Sequence, residues 1–100
     1  MKKNSFSIQG KVWLYPGMSG WHFLTIPKEE SQEIKERFGA NARGWGSLPV
    51  SVVLGETTWQ TSIFPDKKSE TYLLPLKALV RKRECVYAED AVTFTITVMG

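Results

Sequence analysis

The chain repeats one plan twice, and that plan leaves few folds open. In the first half an extended segment ends Leu14-Tyr15-Pro16, and in the second half one ends Ile63-Phe64-Pro65. A further segment ends Thr25-Ile26-Pro27, matched by Leu73-Leu74-Pro75. Each second proline opens a helical stretch. Each helix leads to a run of alternating apolar residues, Leu48-Val50-Val52 and Val92-Phe94-Ile96. The paired prolines recur at 49 and 48 positions, and the first half carries extra residues in the loop Gly39 to Ser47. A half of about 50 residues buries too little apolar surface for a core of its own. Segments 6–54 and 57–99 are therefore expected to share one interior. Two strand–strand–helix–strand units wound round that interior predict a single domain over residues 1–100, mainly β with two short helices, closed into a small barrel. Closure removes the sheet edges that would otherwise invite aggregation.

Period-two alternation fixes the faces. Over 6–15, Phe6, Ile8, Val12 and Leu14 point inward while Ser7, Gln9, Lys11, Trp13 and Tyr15 point outward, with Gly10 marking a bulge or bend. Trp21 to Ile26 is a second strand, apolar on both faces. Pro27 opens a helix over Lys28 to Phe38, with acids in its first turn, Glu33 and Arg37 at i,i+4, and Gly39 as its stop. Its thin apolar seam, Ile34 and Phe38, suits a surface helix. Residues 48–54 and 57–64 form a hairpin about Gly55-Glu56. Pro65 to Ser69 is a polar turn, Tyr72 to Leu74 a short strand, and Pro75 leads into a helix ending near Arg83. The last strand has Val92, Phe94, Ile96 and Val98 facing in.

Composition excludes several classes. Hydrophobic residues make up 42% of the 100 and no apolar run is long enough for a transmembrane helix. Met1 to Gly10 has lysines but no apolar stretch behind them, so no secretory signal is expected and a cytoplasmic location is the default. One cysteine and one histidine allow no internal disulfide and too few soft ligands for zinc. No cofactor is implied. A net charge of +3 is modest. It divides into an acidic first helix (Glu29, Glu30, Glu33, Glu36) and a basic second one (Lys77, Arg81, Lys82, Arg83).

Gly10-Lys11-Val12-Trp13, Phe23 to Pro27, Pro49-Val50-Ser51-Val52, Trp59 to Pro65, Tyr72 to Lys77 and Val80-Arg81-Lys82 occur in an order that resembles a bacterial domain of unknown function, family nineteen-oh-five of the DUF series. The likeness spans about residues 6 to 98. It implies a double-split β-barrel related to the AbrB and MazE type of DNA-binding fold, here with both half-barrels in one chain by internal duplication. It assigns no catalytic or binding residue. Two positions depart from the family pattern. Glu89-Asp90 stands where Gly-Asp is usual, and Glu70-Thr71 where a glycine precedes Tyr72. Both lack the residue that adopts positive φ at least cost, leaving the turn types open.

Candidate sites are few. His22 and Cys85 are the only thiol–imidazole pair, and a lone cysteine after a helix reads as packing rather than as a nucleophile. Glu29 and Glu33 read as a solvated helix face. Arg43 and Trp45 either form a lip over a small ligand or belong to a connector whose tryptophan folds back on the barrel. Trp13 and Tyr15, aromatic on a polar face, mark a contact surface or lie beneath a helix. Trp59, in line with Thr61 and Ile63, reads as core. Lys77, Arg81 and Lys82, with Lys67 and Lys68 in the preceding turn, are candidate phosphate contacts. They are equally the cations a helix C-terminus favours, and Arg81 can instead pair with an acid such as Asp90. The reading is a non-enzymatic binding or interaction module for an unknown small molecule or protein, a monomer or weak homodimer without membrane contact. The alternative is an AbrB-like DNA-binding regulator, resting on fold analogy.

Overall fold

Antiparallel pairing carries the chain round an almost complete circuit. The computed structural model describes residues 4–17 and 20–99, so the opening Met1 to Lys3, read above for targeting, lies outside it. The elements are β1 (Ser5–Lys11), β2 (Trp13–Leu14), β3 (His22–Ile26), α1 (Lys28–Phe38), β4 (Leu48–Leu54), β5 (Thr57–Asp66), β6 (Thr71–Pro75), α2 (Ala78–Glu84) and β7 (Ala91–Val98). The seven strands run β1-β7-β4-β5-β6-β3-β2 across the sheet. Only Val12 separates β1 from β2, the two ends of that order, so one extended run pairs first with β7 and then with β3 and nearly closes the barrel. The Val12 N–H donates to Asp90 O at 2.9 Å and its carbonyl accepts from the Glu89 N–H at 2.7 Å, which fixes the corner. Gly10 holds no bulge, because its pairing with Val92 continues the register without a break; the bend falls two residues later. Leu14, expected inside, closes β2 opposite His22 and is 52% exposed.

β5 turns the same kind of corner. Thr57 to Ile63 pair with β4, and Phe64 to Asp66 with β6. Pro65 therefore lies within the strand, opposite Tyr72, rather than ending it. The β4 ladder has already stopped at Ile63, leaving one side free where a residue without an N–H is tolerated.

The pairing scheme maps onto itself when first-half strands are exchanged for second-half ones: β1–β7 becomes β5–β4, β2–β3 becomes β5–β6, and β3–β6 and β4–β7 are unchanged. In the two unchanged pairs, Thr25 faces Leu73 and Val52 faces Ile96, spacings of 48 and 44. Gly10 pairs with Val92 as Ile63 does with Leu48, and Trp13 with Phe23 as Asp66 does with Thr71; both give a spacing of 53 for the corner strands. With the exchange centred on those two pairs, Pro27 falls on Pro75, whereas Pro16 does not fall on Pro65. Pro65 corresponds to Val12, the other corner, and Pro16 to Ser69 in a turn. The left-handed Gly17 (φ 81°) and Glu70 (φ 58°) fall on this register.

Inside, Leu24, Ile26, Val52, Ile63, Phe94 and Ile96 are fully enclosed. α1 buries Ser31, Ile34 and Phe38 on one stripe, and its Arg37 bonds Glu33 at 2.9 Å. Gly39 does not stop it in the left-handed region. With φ −57° and ψ −31° it carries the chain on into a short 3₁₀ turn. α2 starts three residues after Pro75, because Pro75 completes β6 and Lys77 is still extended. Its last turn closes on Cys85 at φ 53°, whose N–H bonds Lys82 O while Val86 N–H bonds Arg81 O. This is a Schellman end with cysteine where glycine is usual, and Cys85 is exposed rather than packed. Glu84 accepts a hydrogen bond from Thr57 Oγ1 at 2.5 Å, and its carboxylate fills the space a Cβ at Gly55 would need. Among the described residues no helix is long and apolar enough to cross a membrane.

Two predictions follow from this geometry. The buried Ser31 hydroxyl donates to Ile26 O at 2.8 Å and accepts from the Tyr72 N–H at 2.9 Å, tying α1 to a β3–β6 pair. Ser31→Ala strands both backbone groups and is expected to lower stability by about 1–3 kcal/mol in urea unfolding. Glu70 and Glu89, at φ 58° and 76°, hold a left-handed conformation that glycine adopts at least cost. Their pairs with Lys28 (3.4 Å) and Lys11 (3.6 Å) are exposed and contribute little. Glu70→Gly and Glu89→Gly are each expected to raise stability by about 0.5–1 kcal/mol in the same measurement, strain relief outweighing glycine's extra chain entropy.

Candidate functional site

Alternation along β5 sets Trp59 and Thr61 on the face turned toward α2, and the register brings the start of β3 to the same place. Between them lies a cleft of about 480 Å³, walled by Trp21, Trp59, Pro75 and Leu76, with Lys77 and Arg81 along its rim. Lys77 is the last extended residue before α2, and Arg81 lies one turn into the helix, four positions on. The Arg81 guanidinium is held by backbone. Its Nε donates to Leu76 O at 3.0 Å and its Nη2 to Gly20 O at 3.3 Å. It does not pair with Asp90, which accepts from the Tyr87 N–H at 2.8 Å. His22 Nδ1 bonds the same Gly20 oxygen at 2.8 Å; since a carbonyl only accepts, Nδ1 carries the hydrogen and Nε2 is left toward solvent or a ligand. No carboxylate lines the cleft, and no ion pair among the described residues involves Lys77 or Arg81.

Trp59 adds the least usual feature. It is 8% exposed and packs in the core, yet its indole Nε1–H is the one buried side-chain polar atom among the described residues without a hydrogen-bond partner. Such a group costs about 1–3 kcal/mol unless something accepts from it.

The other sequence candidates divide among separate places. Trp13 and Tyr15 lie over Phe23 on the outside of the barrel, at ring distances of 5.3 and 5.6 Å, with Trp21 5.9 Å from the same ring. This lid buries the outer face of β3 and accounts for a strand apolar on both sides. Trp13 and Tyr15 border a groove whose far wall is Pro65, Asp66 and Lys68, so no helix covers them. The Trp13 N–H is satisfied by Thr25 Oγ1 at 2.9 Å. Arg43 and Trp45 lie in the loop before β4. Trp45 does not fold back: it is 94% exposed at φ 65°, while Gly46 packs on Pro65. Lys67 lines a polar cleft together with Lys35, Glu36 and Glu70, a mixed-charge setting. Lys82 is exposed on α2. Among the described residues no group of three or more His, Cys, Asp or Glu is placed to hold a metal ion.

The model of the domain of unknown function DUF1905 matches residues 9–96. The chain belongs to this family. Comparison with curated proteins gives no significant match. The DUF1905 match takes in every residue of the cleft from Gly20 to Arg81. Sequence reasoning reached Lys77 and Arg81 but not their partners. Gly20, Trp21 and His22 lie more than 50 positions upstream of them, and only the β3–β6 pairing brings the two segments together.

Within this DUF1905 domain Tyr72, buried under α1, has its phenol raised above its ordinary 10.0 by desolvation. A folded value above the unfolded one means that stability is complete below pH 10 and falls as the pH rises through the folded value. Tyr72→Phe is expected to flatten this alkaline limb in unfolding measurements carried upward through pH 10.

Proposed function

We propose that this DUF1905 domain is a non-enzymatic binding module for a small molecule, seated in the cleft between β3, β5 and the start of α2. The observation that carries this reading is the cleft itself, walled by Trp21, Trp59, Pro75 and Leu76 and bordered by Lys77 and Arg81, which take part in no ion pair among the described residues. Trp59 lines this cleft while its N–H is shielded from solvent, so its indole reports on what enters without having to bond it. The cleft volume falls in the range of small-molecule sites, with mainly apolar walls and a few polar groups to set orientation. The self-mapping strand pairs support an internally duplicated chain, in which the cleft beside α2 has become specialised. A DNA-binding regulator has less support, since a duplex needs cations along one face and Lys67 lies among Glu36 and Glu70 in a different cleft.

The test is a titration followed by ¹H–¹⁵N NMR. The Trp59 indole resonance is assigned by its loss in Trp59→Phe, and the protein is exposed to a set of aromatic fragments of all three charge types. The expected outcome is a saturable shift of the Trp59 signal with at least one fragment. Shifts confined to Trp13, Tyr15 or Trp45, or no shift at millimolar concentration, would overturn the assignment.

A further inference from the structure

Resting on that reading of the cleft, we infer that the molecule it takes is an organic anion: a planar apolar body carrying a carboxylate or an equivalent oxyanion. The charge requirement comes from what surrounds the cleft. Its titratable lining residues are Lys77, Arg81 and His22, and none is acidic. Glu84, the carboxylate on the same helix, faces away to Thr57 at the β4–β5 turn. Arg81 is half-buried and spends two of its five N–H donors on carbonyls, which fix its plane and leave three donors free. A partly buried guanidinium held rigid by neutral acceptors still lacks a counter-charge. An oxyanion on it gains charge-assisted bonds with no ordering cost on the protein side.

The apolar body follows from the walls. Trp21, Pro75 and Leu76 present ring faces and methyls, and Trp21 is 51% exposed, an indole left uncovered beside the cleft. A bare inorganic anion would leave these surfaces wet; a planar hydrocarbon covers them while its oxygens reach Arg81 and Lys77. Two cations and apolar walls thus select against cations and against small hydrated anions together.

Four probes decide this: phenylacetate, its neutral isostere phenylacetamide, the cation phenethylamine, and inorganic phosphate, each titrated into the intact protein by NMR with the Trp59 indole as reporter. Phenylacetate is expected to bind about tenfold or more tighter than phenylacetamide, and phenethylamine and phosphate not measurably, in line with the strength of hydrogen bonds to charged groups. Arg81→Met is expected to bring phenylacetate down to the level of the amide without changing the amide. Because Arg81 also ties Gly20 to α2, Lys77→Met, at an exposed position, serves as the second variant and is expected to narrow the same ratio. Rising salt should weaken phenylacetate and spare phenylacetamide in the unaltered protein. Equal binding of acid and amide would overturn the anion inference while leaving the cleft assignment intact. Phosphate binding as well as phenylacetate would overturn the apolar body. Failure of every probe to move the Trp59 signal would remove both this inference and the reading beneath it.

Discussion

The structure depends on two strands that change partner part-way along. Residues 5–14 leave β7 for β3, and residues 57–66 leave β4 for β6. Without these corners the strands would form an open sheet with β1 and β2 as bare edges. With them, the two apolar inner faces meet and the interior is sealed by Leu24, Ile63, Phe94 and Ile96. Val12 shows how local the requirement is. Both of its backbone groups bond the turn at Glu89 and Asp90, so a residue between two strands is as fully satisfied as one within a ladder.

The cleft lies ahead of the second corner. β5 turns to β6 only after Ile63, so the Trp59–Thr61 stretch stays paired with β4 while Trp59 and Thr61 line the cleft beside α2. Because β6 runs through Pro75, α2 cannot begin until Ala78, and Leu76 and Lys77 form an extended shoulder instead of a helical turn. The Leu76 N–H bonds His22 O at 2.9 Å, and Arg81 reaches back to Leu76 O and Gly20 O. Main-chain groups of two separate segments, Gly20 to His22 and Leu76, thus position the charged rim. A site held in this way keeps its geometry when side chains on its walls are exchanged.

Much of the fold was legible because the alternation is strict where one face is buried. β4 and α1 occupy the residues that period and capping indicated, and β7 places Phe94, Ile96 and Val98 inside. The proline match misled at one position. A proline can follow a strand in a turn, as Pro16 does, or sit in a strand at a change of partner, as Pro65 does, and composition does not separate these roles. Ser31 was invisible for a related reason: a serine in a polar helix looks solvated until the register puts a free Tyr72 N–H beside it. The site was half legible. Charge spacing indicated Lys77 and Arg81, while Trp59 read only as core, because an unsatisfied indole is a property of the assembled packing and leaves no mark in the order of residues.

The contact between Glu84 and the β4–β5 turn has a consequence for how this scaffold can be altered. A carboxylate standing where a side chain at Gly55 would begin makes that two-residue turn a fixed stop for the end of α2, so added length there would lift the helix off the barrel. The connection around Trp45 carries no such burden, its indole projecting into water. Grafted peptides, fusion partners and affinity handles therefore belong in the glycine-rich connection, and the hairpin is where the scaffold refuses them.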